Sequence, residues 1–156
     1  MLGNTQQKGL TTELHCIFDM TMLGYQCLKP ISDSCKYDIA VDLGKRIIRI
    51  QCKSSKWATD TTKECVAFEI PTCYFSINTK RAIRYKYDEN DIDYFYTWFN
   101  GQGYLVSIQE ANGTMFRWRY TYPISGQKKN IHIADDYKVN NVISYILGKD
   151  AGVAQR

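Results

Sequence analysis

Apolar residues first recur at helical spacing: Leu10, Leu14, Ile17 and Phe18, with Thr21 in step, before Gly24 offers a stop. The spacing predicts a helix over roughly residues 6–23. Tyr25 to Leu28 reads as a short strand ended by Lys29-Pro30, and Ile31 to Lys36 as a polar loop. The pattern then changes to period two. Tyr37-Asp38-Ile39-Ala40-Val41 and the isoleucine-rich Arg46 to Ser54 flank the turn-like Asp42-Leu43-Gly44-Lys45, which predicts a hairpin. Residues 55–63 are polar and read as a loop, and Cys65 to Ile70 is a strand closed by Pro71. Residues 72–90 carry no clear period. Ile92 to Phe99 and Tyr104 to Gln109 surround Asn100-Gly101-Gln102-Gly103, a strong hairpin signal, and residues 114–124 look like a further hairpin. Ala134 to Leu147 fits a final helix with Val139, Val142, Ile143 and Ile146 on one face and Gly148 at its end. Helix, several strands, then helix argues for an α/β or α+β fold with a mixed central β-sheet and flanking helices.

The 156 residues make about one domain, and 44% hydrophobic content is enough to bury a core without staples. The expected layout within this single domain is a core over about 6–70, an extension of the sheet over about 71–130, and the helix over about 134–147. No run approaches the ~18 consecutive apolar residues of a membrane helix. The N-terminal stretch has no apolar centre and no cleavage pattern, so a soluble cytoplasmic protein is the expectation. Cys16, Cys27, Cys35, Cys52, Cys65 and Cys73 form no C-x-x-C pair, and with only His15 and His132 beside them they read as free thiols rather than zinc ligands.

The net charge of +4 is mild, and its placement says more than its size. Lys80-Arg81-Ala82-Ile83-Arg84-Tyr85-Lys86-Tyr87 and Phe116-Arg117-Trp118-Arg119-Tyr120 interleave cations with aromatic rings. Cations reach phosphates and aromatic or guanidinium groups reach bases, so both segments are candidates for nucleic-acid contact. Arg81, Arg84, Arg117 and Arg119 are candidate base readers, and Lys56, Lys80 and Lys86 candidate phosphate contacts. Two strands with one solvated charged face would give the same pattern.

The chemistry-bearing residues lie in the first predicted hairpin. Side chains alternate along a strand, so Gln51 and Lys53 share one face while Ile48, Ile50 and Cys52 take the other. Hairpin pairing can bring Asp38 to the face of Gln51 and Lys53, and Glu13 on the preceding helix can lean over the sheet edge. A carboxylate, a carboxamide oxygen and the main-chain carbonyl of Cys52 form a hard-oxygen set suited to Mg²⁺. Such an ion polarises a phosphodiester and acidifies water, and an adjacent lysine orients that water or steadies the charged transition state. Glu13 would act through a metal-bound water or a second metal.

Gly9-Leu10-Thr11-Thr12-Glu13, Tyr37-Asp38-Ile39-Ala40-Val41 and Arg49-Ile50-Gln51-Cys52-Lys53-Ser54, in that order, resemble the PD-(D/E)XK nuclease superfamily. That superfamily includes restriction enzymes and archaeal Holliday junction resolvases. Asp91-Ile92-Asp93-Tyr94-Phe95 resembles the strand entry that follows the basic segment in small members. The departure is Gln51, where most members have Glu or Asp; the bacterial intron-encoded homing endonucleases of the superfamily look to share this Gln. The resemblance implies catalytic Glu13, Asp38, Gln51 and Lys53, and Mg²⁺ with Mn²⁺ as a substitute and Ca²⁺ non-productive. It also implies a near-palindromic double-stranded DNA target, a homodimer or homotetramer, and a bacterial or bacteriophage setting. Two other readings stay open: a resolvase-like nuclease that cuts junctions, and a DNA-binding module in which Gln51 marks a dead site.

Overall fold

The computed structural model describes residues 4–32, 34–59, 63–76 and 78–154, without the side chains of residues 72–76 and 153–154. Helix α1 (Asn4–Met22) leads into strand β1 (Gln26–Leu28), then β2 (Ile39–Asp42), β3 (Ile47–Cys52), the two-residue β4 (Lys56–Trp57) and β5 (Cys65–Glu69). Strands β6 (Thr72–Ser76), β7 (Arg81–Tyr85), β8 (Tyr94–Phe99), β9 (Gln102–Ser107) and β10 (Met115–Arg119) follow, then helices α2 (Ala134–Tyr137) and α3 (Val139–Ala154).

Five strands form a mixed sheet in the order β1-β2-β3-β8-β9. Every neighbouring pair is antiparallel except β3 and β8, which run parallel with Gln51 beside Phe95. One face of the sheet carries Ile39, Val41, Ile48, Ile50, Tyr96 and Leu105 and packs against Cys16 and Met20 of α1 and Val139, Ile143 and Ile146 of α3. The other face, through Phe95, Tyr104 and Val106, packs against Val66, Phe68, Phe116 and Trp118 of the three-stranded sheet β10-β5-β4. The mixed sheet is therefore buried on both sides, which is why its central strands read as near-continuous apolar runs. Strands β6 and β7 form a separate two-stranded ribbon.

The predicted hairpin of β2 and β3 forms with Ile39 opposite Ile50. In the β8–β9 hairpin Phe99 pairs with Gln102, so Asn100 and Gly101 alone make the turn, both at positive φ (51° and 81°). That is the mirror-image turn whose twist matches the strands and which favours Asn-Gly.

Several expectations are corrected. Residues 114–124 do not form a hairpin: β10 pairs antiparallel with the distant β5, Phe116 opposite Phe68, because its alternate aromatics complete the core of that layer. The final helix is broken at Lys138, whose ψ of 136° is extended, and α3 runs through Gly148 to Ala154. Gly148 is tolerated within it because a helical glycine weakens a helix by only about 1 kcal/mol. The polar 55–63 stretch contributes β4, and the unassigned 72–90 stretch holds the β6–β7 ribbon. The apolar residues that mark α1 in the sequence mostly do not face the core. Thr12, Cys16 and Met20 are its buried residues, while Leu10, Leu14 and Phe18 are exposed. Among the described residues Cys16, Cys27, Cys35, Cys52 and Cys65 are free thiols; the side chain of Cys73 lies outside them. No described helix is long and apolar enough to cross a membrane.

Candidate active site

Asp38 stands one residue before β2, and its N–H donates to the Ile50 carbonyl at 2.9 Å, extending the β2–β3 ladder by one rung. That rung sets Asp38 opposite Gln51, on the face away from Ile39 and Ile50. The Asp38 Oδ2 atom accepts the Gln51 Nε2–H at 2.7 Å and the Cys52 N–H at 2.8 Å. The same Gln51 amide nitrogen lies 3.4 Å from the Cys52 carbonyl, to which it donates. A carboxylate oxygen and a main-chain carbonyl thus converge on one amide group.

Burial pushes the Asp38 carboxyl up to about 6, offset by the Cys52 N–H, raised again by the negative charge of Glu13 and lowered by Lys53 and Lys29. Glu13, Lys53 and Lys29 are therefore all close enough to act on this carboxyl. Desolvation leads because the Asp38 side chain is partly buried, where an ionised form loses hydration.

Glu13 projects from α1 and is held by Lys29, whose Nζ donates to Oε2 at 2.6 Å. Lys53 follows β3; its N–H donates to the Tyr96 carbonyl at 2.8 Å, which fixes its backbone in the parallel ladder. The Lys53 ammonium donates to the Pro71 carbonyl at 3.4 Å and lies 5.1 Å from the centre of the Tyr87 ring. Pro71 and Tyr87 bracket the β6–β7 ribbon, so the lysine sits at the ribbon's root.

The acceptor set suits a hard, oxygen-liganded divalent cation. Asp38 Oδ2 and the Cys52 carbonyl already point to a common place, and turning the Gln51 amide over would add a third oxygen there. Among the described residues no group of three or more His, Cys, Asp and Glu side chains is placed to hold a metal. The candidate set escapes that pattern because one donor is an amide and another is main chain.

The candidate DNA-contact residues fall into two groups. Lys56, Ala67 and Arg117 occupy one row across β4, β5 and β10, so Lys56 and Arg117 share the outer face of that sheet and both are exposed. Arg119 lies two residues along on the same face but is engaged in an ion pair with Glu64. Lys80, Arg81, Arg84 and Lys86 are all exposed: Lys80 lies in the turn before β7, Arg81 and Arg84 on opposite faces of that strand, and Lys86 just after it. The sequence reading missed Lys29 and Tyr87. Lys29 was visible only as the cation ahead of Pro30, and Tyr87 only as one ring of the basic-aromatic stretch.

This combination of mixed sheet, hairpin-borne carboxylate and following lysine defines a nuclease fold. The PD-(D/E)XK endonuclease family matches residues 3–140, and the chain belongs to that family and is an endonuclease. Among solved structures its fold is similar to that of a bacterial homing endonuclease, I-Ssp6803I, with a TM-score of 0.73 and 21% sequence identity over 96% of this chain and 97% of that one. No curated protein matches the chain.

Proposed function

We propose that the chain is a site-specific homing endonuclease that makes Mg²⁺-dependent double-strand breaks in a near-palindromic DNA target, acting as a homo-oligomer. The observation that carries the reading is the convergence of Asp38 Oδ2 and the Cys52 carbonyl on the Gln51 amide, with Lys53 and Glu13 close by. Asp38, the Cys52 carbonyl and a turned Gln51 oxygen would hold the cation, with Glu13 reaching it through water or at a second ion. Bound there, the cation supplies Lewis acidity toward the scissile phosphate.

The chain's own residues supply the rest. Asp38 gives the one formal negative charge among the direct ligands that would draw a cation into a half-buried place. Lys53, whose N–H donates to the Tyr96 carbonyl and whose ammonium reaches the Pro71 carbonyl, turns to the charge that builds on the phosphate. Lys29 keeps Glu13 from repelling an incoming phosphate. Lys56 and Arg117 on one sheet face, and the cations of the ribbon, contact the duplex on either side. Mn²⁺ would substitute for Mg²⁺, and Ca²⁺ would bind without cleavage.

The test is cleavage of a random duplex library in Mg²⁺ with sequencing of the cut ends. The expected result is one long, nearly symmetric sequence cut on both strands. Cutting of four-way junctions regardless of sequence would transfer the protein to the resolvase class. Specific binding without cleavage in any divalent ion would make it a DNA-binding module.

A further inference from the structure

Tyr87 is buried, 6% exposed, and its ring is fixed by its neighbours. Tyr85 and Phe95 pack edge-to-face against it, with ring centres 5.5 and 5.6 Å away at 87° and 83°. Phe95 stands beside Gln51 in the parallel β3–β8 pairing, so the ring is anchored to the strand next to the candidate site. Held in this way, the Tyr87 ring turns its face to the Lys53 ammonium at 5.1 Å. That is within the roughly 6 Å over which a ring's quadrupole attracts a cation. The neighbouring Tyr85 seats Lys36 in the same manner, 3.8 Å from its centre. The Pro71 carbonyl, 3.4 Å from the Lys53 ammonium, is a second holder. Ring and carbonyl are both uncharged, so they orient the ammonium and leave its charge whole. A carboxylate in their place would grip the lysine harder and neutralise it.

We propose that Tyr87 is a positioning residue for cleavage: its ring holds the Lys53 ammonium beside the candidate metal site before DNA arrives, so that the lysine meets the charge growing on the phosphate with little left to order. This rests on the reading of Lys53 as the group that steadies that charge. A lysine is a point charge on a long flexible stem, and ordering the stem only when substrate binds would use up part of its attraction to the phosphate. Groups already aimed at the place where charge develops need no reorganisation at the moment of reaction. A ring that only fills the core acts through its size and shape, whereas attraction to a cation depends on the electron density of the ring face. Fluorine drains that density at almost unchanged size, which separates the two roles. A cation–π contact is worth from about twofold where exposed to about thirtyfold where desolvated. Lys53 is partly buried and Tyr87 buried, so an effect of about tenfold is expected.

The experiment uses the full chain and has two readouts. The first is the proton resonance of the Lys53 ε-methylene by NMR, without metal or DNA. Shielding above the ring should move it upfield in wild type and in Tyr87→Phe, and Tyr87→Leu should return it to the ordinary lysine position. The second is single-turnover cleavage, in Mg²⁺, of a duplex recovered from the library, with phenylalanine and then singly, doubly and triply fluorinated phenylalanine at position 87. Tyr87→Phe is expected to cut within about threefold of wild type, and the fluorinated series to fall stepwise to about a tenth of the phenylalanine rate. Duplex binding by mobility shift and the melting temperature should stay level along the series. Fluorinated phenylalanine at Phe68, a core ring 2% exposed, is the control and should cut at the wild-type rate. An unshifted wild-type resonance, a rate indifferent to fluorination, a melting temperature that falls in step with the rate, or an equal loss from Phe68 overturns the proposal. Lys53→Met separates it from the reading it rests on. If that variant cuts at a near wild-type rate, or wild type cuts no duplex, that reading fails and this one with it. If Lys53→Met is inactive and the fluorinated series is flat, the role of Lys53 stands and that of Tyr87 alone falls.

Discussion

Replacing Asp38 by Asn should make the metal-free protein more stable at neutral pH. Burial raises the Asp38 carboxyl from 3.8 to about 6. Between those values the folded state binds a proton that the unfolded chain does not, so stability falls as pH rises from about 4 through about 6 and is then level. A shift of about two units corresponds to about 3 kcal/mol at pH 7. The substitution also weakens the acceptor for the Cys52 N–H and displaces the Gln51 hydrogen bond, which takes back about 1 kcal/mol. The net expectation is a gain of about 2 kcal/mol, or roughly 4–8 °C in melting temperature for a chain of this size. The assay is thermal melting of wild type and Asp38→Asn in EDTA at pH 4, 5, 6 and 7. The gap should be small at pH 4 and open by pH 7. An Asn variant that is less stable than wild type at pH 7, or a gap that does not change with pH, would refute the claim that desolvation dominates this carboxyl.

Lys53→Met should lower the cleavage rate at least a hundredfold and leave target binding within tenfold, measured by single-turnover cleavage and by mobility shift; cleavage by Lys53→Met at a near wild-type rate would remove the lysine from the chemistry. Lys56→Ala and Arg117→Ala should each weaken binding across all sequences and reduce the slope of log K against log salt by about 1 if they face phosphates, as fluorescence anisotropy over a salt series would read. Gly101→Val should destabilise the protein by about 1–3 kcal/mol in denaturant titrations, since its φ of 81° is one that a branched residue adopts only under strain. Gln51→Glu should lower metal-free stability, because a second carboxylate would face Asp38, while leaving measurable cleavage in Mg²⁺.

The β2–β3 hairpin and the β8–β9 hairpin were legible because their signals are local: alternation along each strand and an Asn-Gly turn between two of them. The pairing of β10 with β5 was not, because the partner lies far away in sequence and the aromatic alternation of Phe116 and Trp118 fits any layer. The face of α1 was misread for a related reason. Leu10, Leu14 and Phe18 satisfy the period of a buried stripe, but period identifies only that a face is apolar, not what covers it. The face that meets the sheet carries Thr12, Cys16 and Met20, of which Cys16 and Met20 pack with Ile39 and Ile50. At the candidate site Asp38, Gln51 and Lys53 could be placed from strand alternation, and Glu13 from helix position. Lys29 could not, since its role comes from an ion pair between two elements that only folding brings together.

Gln51 shows how the site can remain intact without a cation. A carboxylate at that position would confront Asp38 across one rung of the ladder, and two like charges there would drive one of them to take up a proton. The amide avoids this by donating to Asp38 Oδ2 and to the Cys52 carbonyl, so both acceptors are satisfied in the metal-free fold. The same arrangement opposes metal binding, because the amide hydrogens lie where the ion would go and the side chain must turn over to present its oxygen. A neutral ligand also leaves Asp38 as the single fixed negative charge among the proposed direct ligands, with Lys53 and Lys29 near it. Metal affinity should therefore be modest and rise when Lys29 is removed, since freeing Glu13 restores a negative charge beside the ion. The exposed Lys29–Glu13 pair contributes well under 1 kcal/mol to stability, so the change would appear in the Mg²⁺ dependence of cleavage and not in the melting temperature.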